Sequence, residues 1–330
     1  MTHAIRFHAP GGPEVLCWEE VGVGDTAELL PGEARVRHHA VGLNYIDIYH
    51  RTGAYPLPFP SGIGLEAAGV VEAVGSAVTD ATGIRVGDRV AYAGGPVGAY
   101  AELRNMPADR LVKLPDSIDF KTGATMMLQG MTAQYLLRRT CPVQAGDTIL
   151  IHAAAGGVGL IVCQWARALG ATVIGTVSSD EKAVLAKAHG CDHTIIYTRE
   201  NFVERVKAIT SGRGVRVVYD SIGKDTFMGS LECLRPMGMM VLFGAASGPV
   251  APFDLGLLAK MGSLFITRPT LFTYIAQRSD LLAISGDLFD VVTSGKVRIE
   301  VNQTYALRDA AQAQIDLVAR KTTGSTVLLP

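Results

Sequence analysis

The sequence predicts an α/β protein in which a doubly wound parallel sheet is inserted in a discontinuous, β-rich second domain. Three observations carry this. Between 148 and 243, short apolar runs without polar alternation take turns with helical stretches, as in parallel strands buried on both faces. The first third instead shows alternating strands broken by Gly and Pro turns. The last residues, Gly324 to Pro330, read as one more strand, expected to return to that β-rich part.

In order along the chain, Ala34–Val41, Gly69–Gly75 and Val86–Tyr92 have the texture of half-buried strands. Gly11-Gly12-Pro13 and Tyr55 to Pro60 are loops, because Pro removes the donors that a strand or helix needs. Apolar residues at helical spacing run from Phe120 to Arg139, with Ser117 or Asp119 available as a cap. The inserted domain then reads as strand 148–152, helix 158–169, strand 171–177, helix 181–189, strand 194–197, helix 202–210, strand 215–219, helix 228–234 and strand 239–243. A sixth strand is expected at Gly262–Thr267 and a last long helix at Asp280–Ser294.

Composition excludes several classes. In 330 residues, 30 Lys and Arg stand against 31 Asp and Glu, so no strong basic field recommends a nucleic-acid partner. With 48% hydrophobic and 18% charged residues the chain is not disordered. Five scattered cysteines, none in a Cys-x-x-Cys pair, argue against a disulfide framework and a structural zinc lobe. No run approaches the roughly 20 apolar residues of a membrane span, and no signal peptide is visible, so a cytoplasmic protein is expected. There is no P-loop, nucleophile elbow, His-Glu-x-x-His motif or Tyr-x-x-x-Lys pair.

The sharpest local pattern is Ala153-Ala154-Ala155-Gly156-Gly157-Val158-Gly159, between a buried strand and a helix. A dinucleotide pyrophosphate needs backbone without Cβ at close approach and the amides of a helix start. Gly156 and Gly159 sit at the last two glycine positions of G-x-G-x-x-G, but Ala154 stands at the first. At the end of the second strand, where an acidic residue would bind the ribose hydroxyl of NAD, the chain has Val177-Ser178-Ser179, with Lys182 following. Hydroxyls and a cation suit a 2′-phosphate, so NADPH is the expected cofactor. Asp180 and Glu181 are expected to open a helix and point away.

These residues resemble the medium-chain dehydrogenase/reductase superfamily, specifically its zinc-free quinone oxidoreductase (ζ-crystallin-like) branch. Gly146 to Gly159, continuing through Gln164 to Arg167, matches the signature of that branch. Gly12 to Leu16, Gly42 to Asp47, Gly64 to Gly69 and Gly87 to Val90 look like further landmarks. The resemblance implies a Rossmann domain over 125–267 and a GroES-like catalytic domain over 1–124 and 268–330. Zinc-dependent relatives place a Cys ligand where this chain has Asn44 and a His ligand where it has Leu65. Neither replacement ligates zinc.

The resemblance also implies roles. Lys182 and Ser178 would hold the 2′-phosphate, with Tyr197 and Arg320 completing the adenosine pocket. Gly156, Gly157, Val158 and Gly159 would approach the pyrophosphate. Ser221, Phe243, Gly244, Ala245 and Ala246 would flank the cofactor, and Thr132 and Thr267 would lie near the nicotinamide. Asn44, Asp47, Tyr49 and Tyr55 would stand at the substrate mouth. Gln129 occupies a spot where a relative's lysine sits. The implied reaction is hydride transfer from NADPH to a quinone, in a dry cleft between domains, by a homodimer paired through the edge strand at Gly262–Thr267. Two rivals remain open: an NADPH-dependent enone or alkenal double-bond reductase, and a non-catalytic, crystallin-like protein that binds NADPH or RNA.

Overall fold

The computed structural model describes residues 2–22, 29–79 and 82–330. They form two compact units, one of 1–131, 275–293 and 299–330, the other of 132–274 and 294–298.

In the first unit, β1 (Thr2–Phe7) pairs antiparallel with β2 (Cys17–Val21). The strand β3 (Glu33–Leu43) runs directly into a short helix, α1 (Tyr45–Arg51). Next come β4 (Ser61–Gly62), β5 (Glu66–Val74), β6 (Arg89–Ala93), β7 (Leu103–Pro107) and β8 (Val112–Lys113), and then α2 (Phe120–Tyr135). Alternation over the first part of β3, and the wholly buried start of β5, feed a core that includes Val36, Val41, Val71, Val90, Tyr92 and Tyr100. β3 extends two residues beyond the expected Val41, so Leu43 is still strand and Asn44 becomes the N-cap of α1. The expected helix to Arg139 is α-helical only to Tyr135 and continues as one π-helical turn over Leu136–Thr140.

The second unit holds β9 (Thr148–Ile151), α3 (Gly157–Ala168), β10 (Thr172–Val177), α4 (Asp180–Ala188), β11 (His193–Ile196), α5 (Phe202–Ile209), β12 (Val215–Asp220), α6 (Phe227–Glu232), β13 (Leu234–Leu242), α7 (Gly256–Lys260) and β14 (Phe265–Thr267). The sheet order is β11-β10-β9-β12-β13-β14, every pair parallel. That is a doubly wound sheet whose order reverses at β9, and its strand ends there form a topological switch point. β13 starts five residues before the expected strand. It passes through Pro236 and Met237 (φ +57°) with a register break, which reads in sequence as a turn. β14 is shorter than expected, because Gly262 (φ +107°) and Ser263 (φ +56°) make a turn.

After α8 (Leu271–Tyr274) and α9 (Arg278–Thr293), the chain adds β15 (Val301–Ala306), α10 (Ala310–Val318) and β16 (Ser325–Leu329) to the first unit. β16 pairs antiparallel with β3, Val41 opposite Leu328, so the last strand does return to the β-rich sheet. Among the described residues no helix is long and apolar enough to cross a membrane.

Candidate functional site

In the second unit the expected cofactor residues other than Thr132 and Arg320 stand at the carboxyl ends of the parallel strands, the rim of the sheet, or just beyond them. Gly156 caps α3 without any side-chain bond, which leaves the helix's first amides to a ligand. A Cβ on Gly159 would stand 2.3 Å from the Ala153 carbonyl oxygen and 2.7 Å from that of Ala154. Only glycine lets the helix begin this close to the strand. Ala153 itself is left-handed, at φ +54°. The missing first glycine has a local explanation. A Cβ on Gly175 of β10 would lie 2.5 Å from the Ala154 Cβ, so the neighbouring strand gives up its side chain where Ala154 keeps one. The turn therefore fits a diphosphate.

The other rim residues follow. Ser178 follows β10, and its carbonyl accepts from Thr198 Oγ1 at 3.1 Å. Lys182 lies in the first turn of α4, which Ser179 caps by accepting from the Lys182 amide at 3.3 Å. Tyr197 follows β11, donates its amide to the Val177 carbonyl at 3.1 Å and is 39% exposed. Ser221 follows β12. Phe243, Gly244, Ala245 and Ala246 follow β13, and the segment is tied to the end of β12: the Phe243 amide donates to the Asp220 carbonyl at 2.8 Å and the Ala246 amide to the Ser221 carbonyl at 3.0 Å. A Cβ on Gly244 would meet the same carbonyl oxygen at 2.6 Å. Thr267 closes β14, and Thr132 is buried in α2. Arg320 belongs to the first unit, where its charge bears on the Tyr45 phenol.

Sequence reasoning missed what holds this rim. Asp220, fully buried, accepts at Oδ1 from the amides of Ile222 (2.7 Å) and Gly223 (3.0 Å). Its Oδ2 accepts from Thr226 Oγ1 (2.7 Å) and Ser230 Oγ (2.9 Å). His152, at the end of β9, bonds Ser230 Oγ and Thr176 Oγ1, each at 2.9 Å. Burial lowers the pKa of His152, against the raising effect of the Asp220 carboxylate. The network ties the Ser221 loop to the turn that starts α3. An Asp two and three residues before free amides, ahead of a Gly, was the available signal.

The first unit holds a second constellation. Asn44 is only 4% exposed. Its Nδ2 donates to Glu66 Oε2 at 2.6 Å and its Oδ1 accepts from Gln129 Nε2 at 3.2 Å. Glu66 Oε1 accepts from the Leu128 amide at 2.8 Å, and Ser325 Oγ donates to Gln129 Oε1 at 2.9 Å. Burial pushes Glu66 up to about 8, against the opposing hydrogen bonds from Asn44 and the helix backbone. Asp47 is wholly enclosed. It accepts from the Asn44 amide (2.9 Å) and the Tyr100 hydroxyl (2.8 Å), and burial pushes it up to about 7. Its carboxylate thus holds the start of α1 and offers no open surface. Tyr49 packs between Tyr45 (5.4 Å between centroids) and the exposed Tyr55 (5.1 Å), giving an aromatic strip that starts at the residue after Asn44. Leu65, where zinc relatives have a ligand, is core. Among the described residues no group of three or more His, Cys, Asp or Glu could hold a metal ion.

Residues 30–116 match the alcohol dehydrogenase GroES-like domain family, and 157–282 match the family described as zinc-binding dehydrogenase. The chain is 55% identical to a quinone oxidoreductase of Pseudomonas aeruginosa, with 100% of both chains covered. It is 50% identical to a 2-haloacrylate reductase of a Burkholderia species, over 100% of this chain and 99% of that one. The crystal structure of Escherichia coli quinone oxidoreductase complexed with NADPH superposes with a TM-score of 0.96, at 47% identity, over 99% of this chain and 100% of that one. By sequence and by fold alike, the chain belongs to the quinone oxidoreductase family of the medium-chain dehydrogenase/reductase superfamily.

Proposed function

We propose that this protein is a zinc-independent NADPH:quinone oxidoreductase. The observation that carries the reading is the glycine-tight turn between β9 and α3, on a rim that ends in serines and a lysine where an NAD enzyme has a carboxylate. NADPH, when bound, supplies a hydride from its nicotinamide ring. Gly156, Gly157, Val158 and Gly159 take the diphosphate, and Ser178, Lys182 and Tyr197 take the phosphorylated adenosine end. Ser221, Phe243, Gly244, Ala245 and Ala246 line the cofactor, with Thr132 and Thr267 toward its reactive ring.

On the acceptor side, the Asn44 carboxamide spends one N–H on Glu66 and keeps the other for an oxygen that gains charge. Tyr49 and Tyr55 offer faces to a planar ring. Asp47 orients the loop that carries Asn44 rather than touching the acceptor. With Asn44 and Leu65 in place of ligands, no Lewis acid is needed, because a quinone is electron-poor and its reduced oxygen takes a proton from water.

The test is a stopped-flow acceptor panel. NADPH oxidation with benzoquinones and naphthoquinones, faster than with NADH, is expected; no oxidation with any quinone removes the reading. The likeness to a 2-haloacrylate reductase favours a second acceptor class, conjugated carbonyls reduced at the double bond. Recovery of a saturated product identifies it. We also propose a cytoplasmic homodimer paired along β14, where Phe265 and neighbouring Met237 are 57% and 72% exposed. Sedimentation of Phe265→Glu as a dimer would refute that pairing.

A further inference from the structure

The chain places a carboxylate close to where it should be harmful. Asp180 is the first residue of α4, two positions after Ser178 and two before Lys182. A free aspartate there would repel a 2′-phosphate, the means by which NAD enzymes reject the phosphorylated cofactor. Its neighbour Glu181 is occupied locally by the Ser179 hydroxyl, which holds its carboxyl below the usual range.

Asp180 is held from another crossover. Arg199, three residues past the end of β11, grips it with both arms of its guanidinium, Nη2 to Oδ1 at 2.6 Å and Nη1 to Oδ2 at 2.8 Å. The pairing lowers the pKa of Asp180 and raises that of Arg199, so both stay charged and the pair is neutral. The position of Arg199 is fixed by backbone. The Tyr197 amide and the Thr198 hydroxyl lash this segment to the carbonyls of Val177 and Ser178, at the end of β10. The fork therefore arises from how two strand ends are tied, not from chance meeting of long side chains.

We infer that Arg199 is a specificity-determining residue: by clamping Asp180 it masks a carboxylate two positions from both Ser178 and Lys182 and leaves that end of the rim open to a phosphorylated ribose. The inference rests on the NADPH reading above and deepens it. Two of the five guanidinium N–H groups are spent on Asp180, and Arg199 acts through that carboxylate rather than as a phosphate ligand.

The experiment is equilibrium binding of NADPH and NADH to the full chain, followed by cofactor fluorescence, for wild type, Arg199→Ala, Asp180→Asn and the double variant. The wild type is expected to prefer NADPH. Arg199→Ala should lose about five- to tenfold of that preference, the scale of one unit charge facing a phosphate in water at short range. The double variant should regain it, and Asp180→Asn alone should keep it. High salt should shrink the defect of Arg199→Ala. If Arg199→Ala keeps its preference, or the double variant is as impaired as the single one, masking is wrong. A wild type without preference for NADPH would overturn the cofactor reading itself, and this inference with it. The pair is solvent-exposed, so all four proteins should melt within a few degrees of one another.

Discussion

The two units build their functional surfaces from different material. The rim of the parallel sheet is made of backbone: amides at a helix start, carbonyls at strand ends, and glycines where a Cβ would collide. The Asn44 cluster is made of side chains drawn from β5, α2, β16 and the loop before α1, each satisfied by the next. Backbone sites tolerate no added atom, whereas side-chain clusters tolerate no lost partner.

The most damaging way to probe that contrast is Gly159→Ala. One methyl against two carbonyl oxygens at 2.3 and 2.7 Å must push α3 away from β9. Loss of dinucleotide affinity by about a hundredfold or more is expected, on the scale of a few kcal/mol for forced overpacking. Fluorescence titration reads it, and near-normal affinity would show that the turn is not the cradle.

Glu66→Gln probes the other side through pH. The Glu66 carboxyl titrates near 8 in the fold and near 4.5 unfolded. The native state therefore binds a proton that the unfolded chain has released. Stability is fully present below about pH 4.5 and falls as pH rises through about 8. Gln cannot ionise, so its variant lacks that fall, but it gives up one of two accepted bonds, worth about 1 kcal/mol. The variant should be less stable than the parent at pH 5 and should overtake it by pH 8.5. Denaturant melts at both pH values decide, and parallel pH profiles would mean that Glu66 is ionised throughout.

Ala154→Gly is the mildest. It restores the first fingerprint glycine and should cost about 1 kcal/mol of stability, while dinucleotide affinity changes by less than about twofold. A larger loss of affinity would mean that the Ala154 methyl, and not only the room left by Gly175, shapes the turn.

The same contrast explains what could be read in advance. Parallel strands announce themselves by unbroken apolar runs, and Ile149-Leu150-Ile151 is such a run. The rim residues lie a few positions beyond each run, so Ser178 could be named from order, whereas Ser221 and Phe243 came from the family resemblance. Asp220 left only the local signal of an Asp ahead of a Gly turn, and its chain through Ser230 to His152 left none, because a buried Asp–Ser–His chain has no period. In the first unit the family resemblance pointed to Asn44 but gave Glu66 no role. Its partners lie 22 and 62 positions away in sequence. The break in β13 was hidden because Pro236 and Gly238 read as an ending, while Met237 turns left-handed and the strand resumes.

The pairing of β16 with β3 bears on how the molecule is born. Val41 waits for Leu328, whereas 132–274 is one uninterrupted stretch that meets its own partners as it leaves the ribosome. We therefore expect the dinucleotide unit to mature first and the β-rich sheet to close last. Protease resistance acquired by stalled nascent chains would reveal the opposite sequence if it held.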